Sequence, residues 1–171
     1  MIIIGYQGIG KSTLAGKLNC IDLESGNFWV DGKRAEDWYI PYCQIANHLS
    51  AQGYTVFVSS HEVVRRELEK SKERVVAVCP SVKLEELWNG KLAARYLATG
   101  LEKDFKAWKN AEVRYKENIA EILNSKCEIV IIDKIDYSLE AIVSMLNRDK
   151  PVSEDEWSIF AGALYVRAVE E

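Results

Sequence analysis

No apolar run in this chain approaches the roughly 18 residues that a membrane-spanning helix needs. The apolar opening, Met1 to Gly5, is too short for a signal peptide and has no basic leader. Cytoplasmic residence without a membrane partner is the expectation. Cysteine is sparse. Cys20, Cys43, Cys79 and Cys127 form no CxxC pair, which argues against a zinc site. They are expected to be reduced and packed as small hydrophobes. Positive charge is not in excess, since 22 Lys and Arg stand against 26 Asp and Glu, for a net −4. With no basic tail or stripe, duplex nucleic acid is not an expected partner. Repeats, low-complexity tracts and linkers are also missing. What remains is one domain over 1–171, long enough to bury a core, with an ordinary 48% apolar and 28% charged residues.

Short apolar runs alternate with helical patterns. Met1–Ile4, Cys20–Leu23, Tyr54–Val58, Val75–Cys79 and Ile129–Ile132 read as five strands. Lys11–Leu18 reads as a helix with Leu14, Ala15 and Leu18 on one face. A second helix starts or kinks at Pro41 and stops at Gly53. Val63, Val64 and Leu68 mark a short helix. Two long helical patterns, broken by Gly100, fill 84–126 without an intervening strand, so a lid inserted in the domain is expected there. Leu139, Ile142, Val143 and Leu146 form another helix face. Ser153 and Glu156 make a capping box ahead of an amphipathic helix over 153–169. The alternation predicts an α/β class with a parallel sheet.

One motif carries specific chemistry. Gly5-Tyr6-Gln7-Gly8-Ile9-Gly10-Lys11-Ser12 fits GxxxxGK[ST], directly after an apolar strand and at the start of a helix. The glycines let the backbone curl so that several N–H groups converge on one anion. The following helix adds the positive end of its dipole. Lys11 reaches the β- and γ-phosphates, and the Ser12 hydroxyl ligates Mg²⁺. Gly8, Ile9, Gly10, Lys11, Ser12 and Thr13 are therefore the expected nucleotide-binding residues.

Asp22-Leu23-Glu24 ends the second strand, where alternation puts both carboxylates on one side. The pattern reads as a general base or an outer-sphere Mg²⁺ ligand, or else as a solvated strand end. Ser59-Ser60-His61 ends the third strand with no acid. His61 reads as a capping or packed histidine or as a site residue, whereas His48 reads as a surface or structural histidine. Trp38 reads equally as core or as a stacking surface.

With these residues in hand, the chain resembles the P-loop kinases of the nucleoside-monophosphate-kinase type, including shikimate-kinase-like relatives. Only the loop is a specific motif. The resemblance implies a three-layer P-loop fold with strand order 2-3-1-4-5, an acceptor site beyond strands 2 and 3, and a lid bearing arginine. It implies that Asp22 and Glu24 stand where relatives carry a DxD pair on Mg²⁺ water and the acceptor hydroxyl, Glu24 being a departure. The missing acid after the third strand is a second departure. Lys91, Arg95 and Lys103 are the lid cations, with Arg95 the choice for neutralising transition-state charge and Arg114 in reserve. Arg65 and Arg66 read as a charged helix face or as a grip on the acceptor phosphate. Ile135, Asp136 and Tyr137 are expected near the adenine.

The expected activity is transfer of the γ-phosphoryl group of ATP, with Mg²⁺, to a small acceptor, in first place a nucleoside monophosphate or related nucleotide. Lys11, Asp22, Glu24 and Arg95 are its catalytic residues, with Ser12 and Asp22 on the metal. Two alternatives stand beside it. An ATPase or GTPase with Asp133 as its acid requires Asp133 next to Ser12. A nucleotide-binding module without useful catalysis requires binding without turnover.

Overall fold

The computed structural model describes residues 1–166. Its centre is a six-stranded sheet in the order β2-β5-β1-β6-β7-β8. The strands are β1 (Ile2–Gly5), β2 (Cys20–Asp22), β5 (Thr55–Ser59), β6 (Val75–Pro80), β7 (Glu128–Ile132) and β8 (Ala163–Val166). A separate hairpin pairs β3 (Trp29–Val30) with β4 (Lys33–Arg34). All pairings in the large sheet are parallel except β7 with β8. β1 lies at the centre, and Ile2, Ile3 and Ile4 are buried, as a strand covered on both faces must be.

Helices pack against this sheet in an α/β arrangement compatible with three layers. They are α1 (Lys11–Leu14), α2 (Tyr39–Ala51), α3 (Glu62–Leu68), α4 (Glu85–Thr99), α5 (Glu102–Leu123), α6 (Leu139–Leu146) and α7 (Glu154–Glu156). Pro41 falls in the first turn of α2, where a missing N–H costs nothing. Gly100 leaves α4 in the left-handed region at φ 63. The amphipathic face of α6 buries Leu139, Ile142, Val143 and Leu146, and the Ser138 hydroxyl caps the helix by accepting from Ala141 N–H. Trp88 and Leu92 of α4 and Ala111, Tyr115, Ile119 and Ile122 of α5 belong to the core, so the base of the expected lid is part of the main body. Cys20, Cys43 and Cys79 are buried, Cys127 is half-buried, and all four are free thiols. Among the described residues no helix is long and apolar enough to cross a membrane.

Two elements differ from the sequence reading. The helix expected over 11–18 is a single turn. Ala15 already has an extended ψ of 132, and Gly16, Leu18 and Asn19 take positive φ. The reason is distance. The chain must return to β2 within five residues, and it does so through Gly16 N–H to the Cys20 carbonyl and Cys20 N–H to the Lys17 carbonyl. The helix expected over 153–169 is also short. The capping box of Ser153 and Glu156 forms, but α7 passes into a wide turn over Trp157–Ala161 and ends at Gly162, φ 63. The chain then enters β8, with Trp157 and Tyr165 stacked at 5.4 Å. Leu164 and Tyr165 are strand residues, and over Ala163–Val166 the sheet has a sixth, antiparallel strand where a helix was expected. Ala168, read as part of that helix, lies outside the described residues.

Candidate functional site

The loop from Gly5 to Ser12 leaves the end of β1 and curls before α1. Gly8 and Gly10 have φ of 85 and 97, a region closed to most side chains. At Gly8 space is also short, because a Cβ would lie 2.8 Å from Leu92 Cδ2. Since α1 is one turn long, a helix dipole adds little here. Lys11 Nζ donates to the Gly5 carbonyl at 3.0 Å. Burial pulls the Lys11 pKa down, while Asp22 and Glu24 pull it up.

Two aromatic side chains hold the loop from outside. The Trp88 indole N–H donates to the Gln7 carbonyl at 3.0 Å, and the Tyr137 hydroxyl donates to the Ile9 carbonyl at 2.8 Å. The two rings stack with centroids 5.7 Å apart. Lys91 Nζ sits 4.5 Å from the Trp88 ring centroid and donates to the Tyr137 hydroxyl at 2.9 Å. Sequence reasoning expected Tyr137 near an adenine and gave Trp88 no role of its own. The signal it passed over is that a buried indole N–H requires an acceptor.

A cleft of about 670 Å³ opens over the loop. It brings together Gly8, Gly10, Lys11, Ser12 and Thr13 with Asp22 and Glu24 at the end of β2. Ser59 closes one side, and Lys91, Arg95 and Lys103 come from α4 and α5. All four expected catalytic residues, Lys11, Asp22, Glu24 and Arg95, therefore share one cavity. Ile9 does not line it. Its side chain is buried and its amide turns to the Tyr6 carbonyl at 3.4 Å.

Charge in the cleft is largely paired. Burial pushes the Asp22 carboxyl up, and the Lys11 ammonium opposes that shift. Glu24 meets Lys103 at 3.7 Å across the opening. Arg95 is not a free lid cation. It makes an ion pair with the buried Asp104, whose other oxygen accepts from Thr99 Oγ1 at 2.6 Å. Burial raises the Asp104 pKa, but the Thr99 and Arg95 hydrogen bonds outweigh it and hold the carboxyl low. Lys91 is held below its ordinary pKa by burial and by Arg95.

Tyr42 sets the spacing between the two strands that bear the acidic and serine positions. Its hydroxyl donates to the Leu23 carbonyl at 2.7 Å and accepts from Ser59 N–H at 2.9 Å. Burial pushes this phenol up to about 12, so it stays protonated at neutral pH. Trp38 is buried among Phe28, Tyr42 and His61, and the Arg34 guanidinium lies 4.0 Å over its ring. Trp38 is thus a packed residue that also carries a cation.

Other candidates lie elsewhere. Arg65 is buried, donating to the Ser60 carbonyl and to Glu121, both at 3.0 Å. Arg66 pairs with Glu62 on an exposed helix face. Arg114 pairs with Glu117 and Glu121, outside the cleft. His48 is exposed beside Gln52. Asp133 follows β7, which β6 separates from β1, and its amide donates to the Gly162 carbonyl. It does not line the cleft, so the adjacency to Ser12 that the hydrolase alternative requires is not met.

No known family model matches the chain, and no curated protein matches it either.

Proposed function

We propose that the protein is a small ATP-dependent phosphotransferase acting on a small acceptor, with a nucleoside monophosphate or related nucleotide as the first candidate. The observation that carries this reading is the single cleft that gathers the glycine loop, Lys11, Asp22, Glu24 and Arg95. The five parallel strands, numbered in chain order among themselves, run 2-3-1-4-5, which supports a P-loop kinase arrangement. In this reading the loop amides and Lys11 hold the donor phosphates. Asp22 and Glu24 serve the acceptor or the metal's waters, and Arg95 and Lys91 neutralise charge from the α4 side. Positioning and electrostatics then supply the rate, as phosphoryl transfer demands.

Mg²⁺ fits the residues present. The exposed Ser12 hydroxyl and the Asp22 carboxylate line the same cavity. Among the described residues no group of three or more metal-ligating side chains exists, so a metal would take its remaining oxygens from phosphate and water. When bound there it would neutralise phosphate charge.

ADP release from MgATP, followed with and without nucleosides, nucleoside monophosphates and shikimate-like alcohols, tests the reading. Release that depends on one acceptor and is lost in Lys11→Ala is expected. Acceptor-independent release would replace it with a nucleotide hydrolase. Tight MgATP binding with no turnover under any acceptor would replace it with a non-catalytic nucleotide-binding module.

A further inference from the structure

Ser59 ends β5 directly opposite Gly5 in the β1–β5 register, and its side chain lines the cleft. Its Oγ lies 2.8 Å from Nδ1 of His61. The backbone fixes this pair firmly. His61 caps the start of α3, and its carbonyl accepts from the amides of Val64 and Arg65 at 3.1 and 3.0 Å. Ser59 N–H is held by Tyr42. The His61 ring meets Trp38 edge-on at 5.5 Å. The charged groups that act on it come from three elements: Arg34 of β4, Lys11 of α1 and Arg65 of α3. All three are cations.

His61 is exposed overall, but the desolvation of its ring beside Trp38 and then these cations hold the imidazole below its ordinary pKa, which favours the neutral form at pH 7. A neutral imidazole offers one N–H and one lone pair. With the lone pair on Nδ1, the Ser59 hydroxyl donates to it and leaves its oxygen lone pairs to the cleft. Of the carboxylates at the end of β2, Glu24 pairs with Lys103, and Asp22 lies within the electrostatic reach of Lys11.

We propose that Ser59 and His61 form the proton-accepting dyad of this cleft, and that the acceptor it serves reacts through a hydroxyl group. The proposal rests on the phosphotransferase reading above and moves its first-candidate acceptor from a nucleoside monophosphate to an alcohol. As the acceptor O–H attacks, its proton passes to Ser59 Oγ and the Ser59 proton passes to His61 Nδ1. The acceptor oxygen bonds the γ-phosphorus. The bond from that phosphorus to the β–γ bridging oxygen breaks, and ADP leaves with the electron pair. The proton on the imidazolium is then lost to solvent. A phosphate acceptor, with a second pKa of about 6, is already largely deprotonated at pH 7 and needs no such base. An alcohol does. The dyad thus favours a sugar or other alcohol over the phosphate of a nucleoside monophosphate.

The test measures phosphoryl transfer from MgATP to hydroxyl acceptors and to nucleoside monophosphates between pH 5 and 9. Wild type, Ser59→Ala, His61→Gln and Lys11→Ala are compared. With a hydroxyl acceptor, the first two variants are expected to lose about 100-fold or more in kcat, with KM for MgATP unchanged. The wild-type profile should fall on its acid side below the ordinary histidine value of 6.5, and His61→Gln should abolish that fall. Nitrogen-15 shifts of the wild-type imidazole at pH 7 should show Nδ1 unprotonated. A proton on Nδ1, full kcat in His61→Gln, or transfer to phosphate acceptors alone would each overturn the dyad while leaving the phosphotransferase standing. No transfer to any acceptor, or an active Lys11→Ala, would overturn both.

Discussion

Trp88 of α4 and Gln7 of the glycine loop are joined by one hydrogen bond, indole N–H to carbonyl, 81 residues apart in sequence. The bond removes the one donor that burial would otherwise strand, and it fixes the peptide just before Gly8. Trp88→Phe keeps a ring for Tyr137 to stack on and deletes the donor. It should cost about 1–3 kcal/mol of stability and weaken MgATP binding, read by thermal unfolding and calorimetry. Lower stability with unchanged affinity would mean that the bond serves the fold alone.

Gly8→Ala tests the loop geometry. The left-handed backbone costs a side chain about 1–2 kcal/mol, and the new methyl would press on Leu92 at 2.8 Å. Nucleotide affinity should drop by more than about tenfold, the equivalent of 1.4 kcal/mol, while the circular dichroism spectrum stays folded. Wild-type affinity in this variant would remove the loop from the binding site.

Asp104 gives a pH dependence of defined sign. Its carboxyl is held below the ordinary 3.8 in the folded state. Its contribution is therefore complete above that value and is lost as pH falls through the lower folded value. Asp104→Asn should lower the melting temperature at pH 7, at a cost of about 1–3 kcal/mol, since the half-exposed Arg95 loses its partner. The variant should also show a shallower acid decline than wild type. Parallel acid declines in the two proteins would contradict the assignment.

Tyr42→Phe removes the link between Leu23 and Ser59. The expected cost is about 1–3 kcal/mol from two groups left without their partner. Transfer activity should fall more than MgATP affinity, because the phenol spaces the acceptor side of the cleft, away from the loop. Equal losses in both would show a general collapse instead.

The glycine loop, the alternation of strands and helices, and the capping box at Ser153 were legible because each rests on local chemistry. The four residues expected to act together also converge, since strand ends and a helix stripe fix their directions. What escaped was decided by tertiary contacts. Leu14 and Leu18 suggested a continuous helix, yet the short return to β2 left room for one turn. Trp157, Ala161 and Tyr165 fit a helical spacing, but Gly162 turns the chain and the free edge of β7 captures it. The hairpin β3–β4 did carry a signal, Asp31-Gly32 with both φ positive between two short strands, the chemistry of a tight hairpin turn. Pairing of Arg95 with Asp104 had none, because a helical pattern shows which cations share a face and not which of them already has a partner.

The kink in α5 at Arg114, where φ is −127 and ψ is 21, gains meaning beside the burial of α4. Trp88 and Leu92 are anchored, and so are Ala111 and Tyr115. Beyond them Tyr96 packs on Phe105 and Trp108, and Arg95 and Thr99 bind Asp104, so the outer turns of both helices form one block. Arg95 and Lys103 are thus carried by that block, whereas Lys91 belongs to the anchored stretch of α4 beside Trp88 and Leu92 and is held to Tyr137 above the loop.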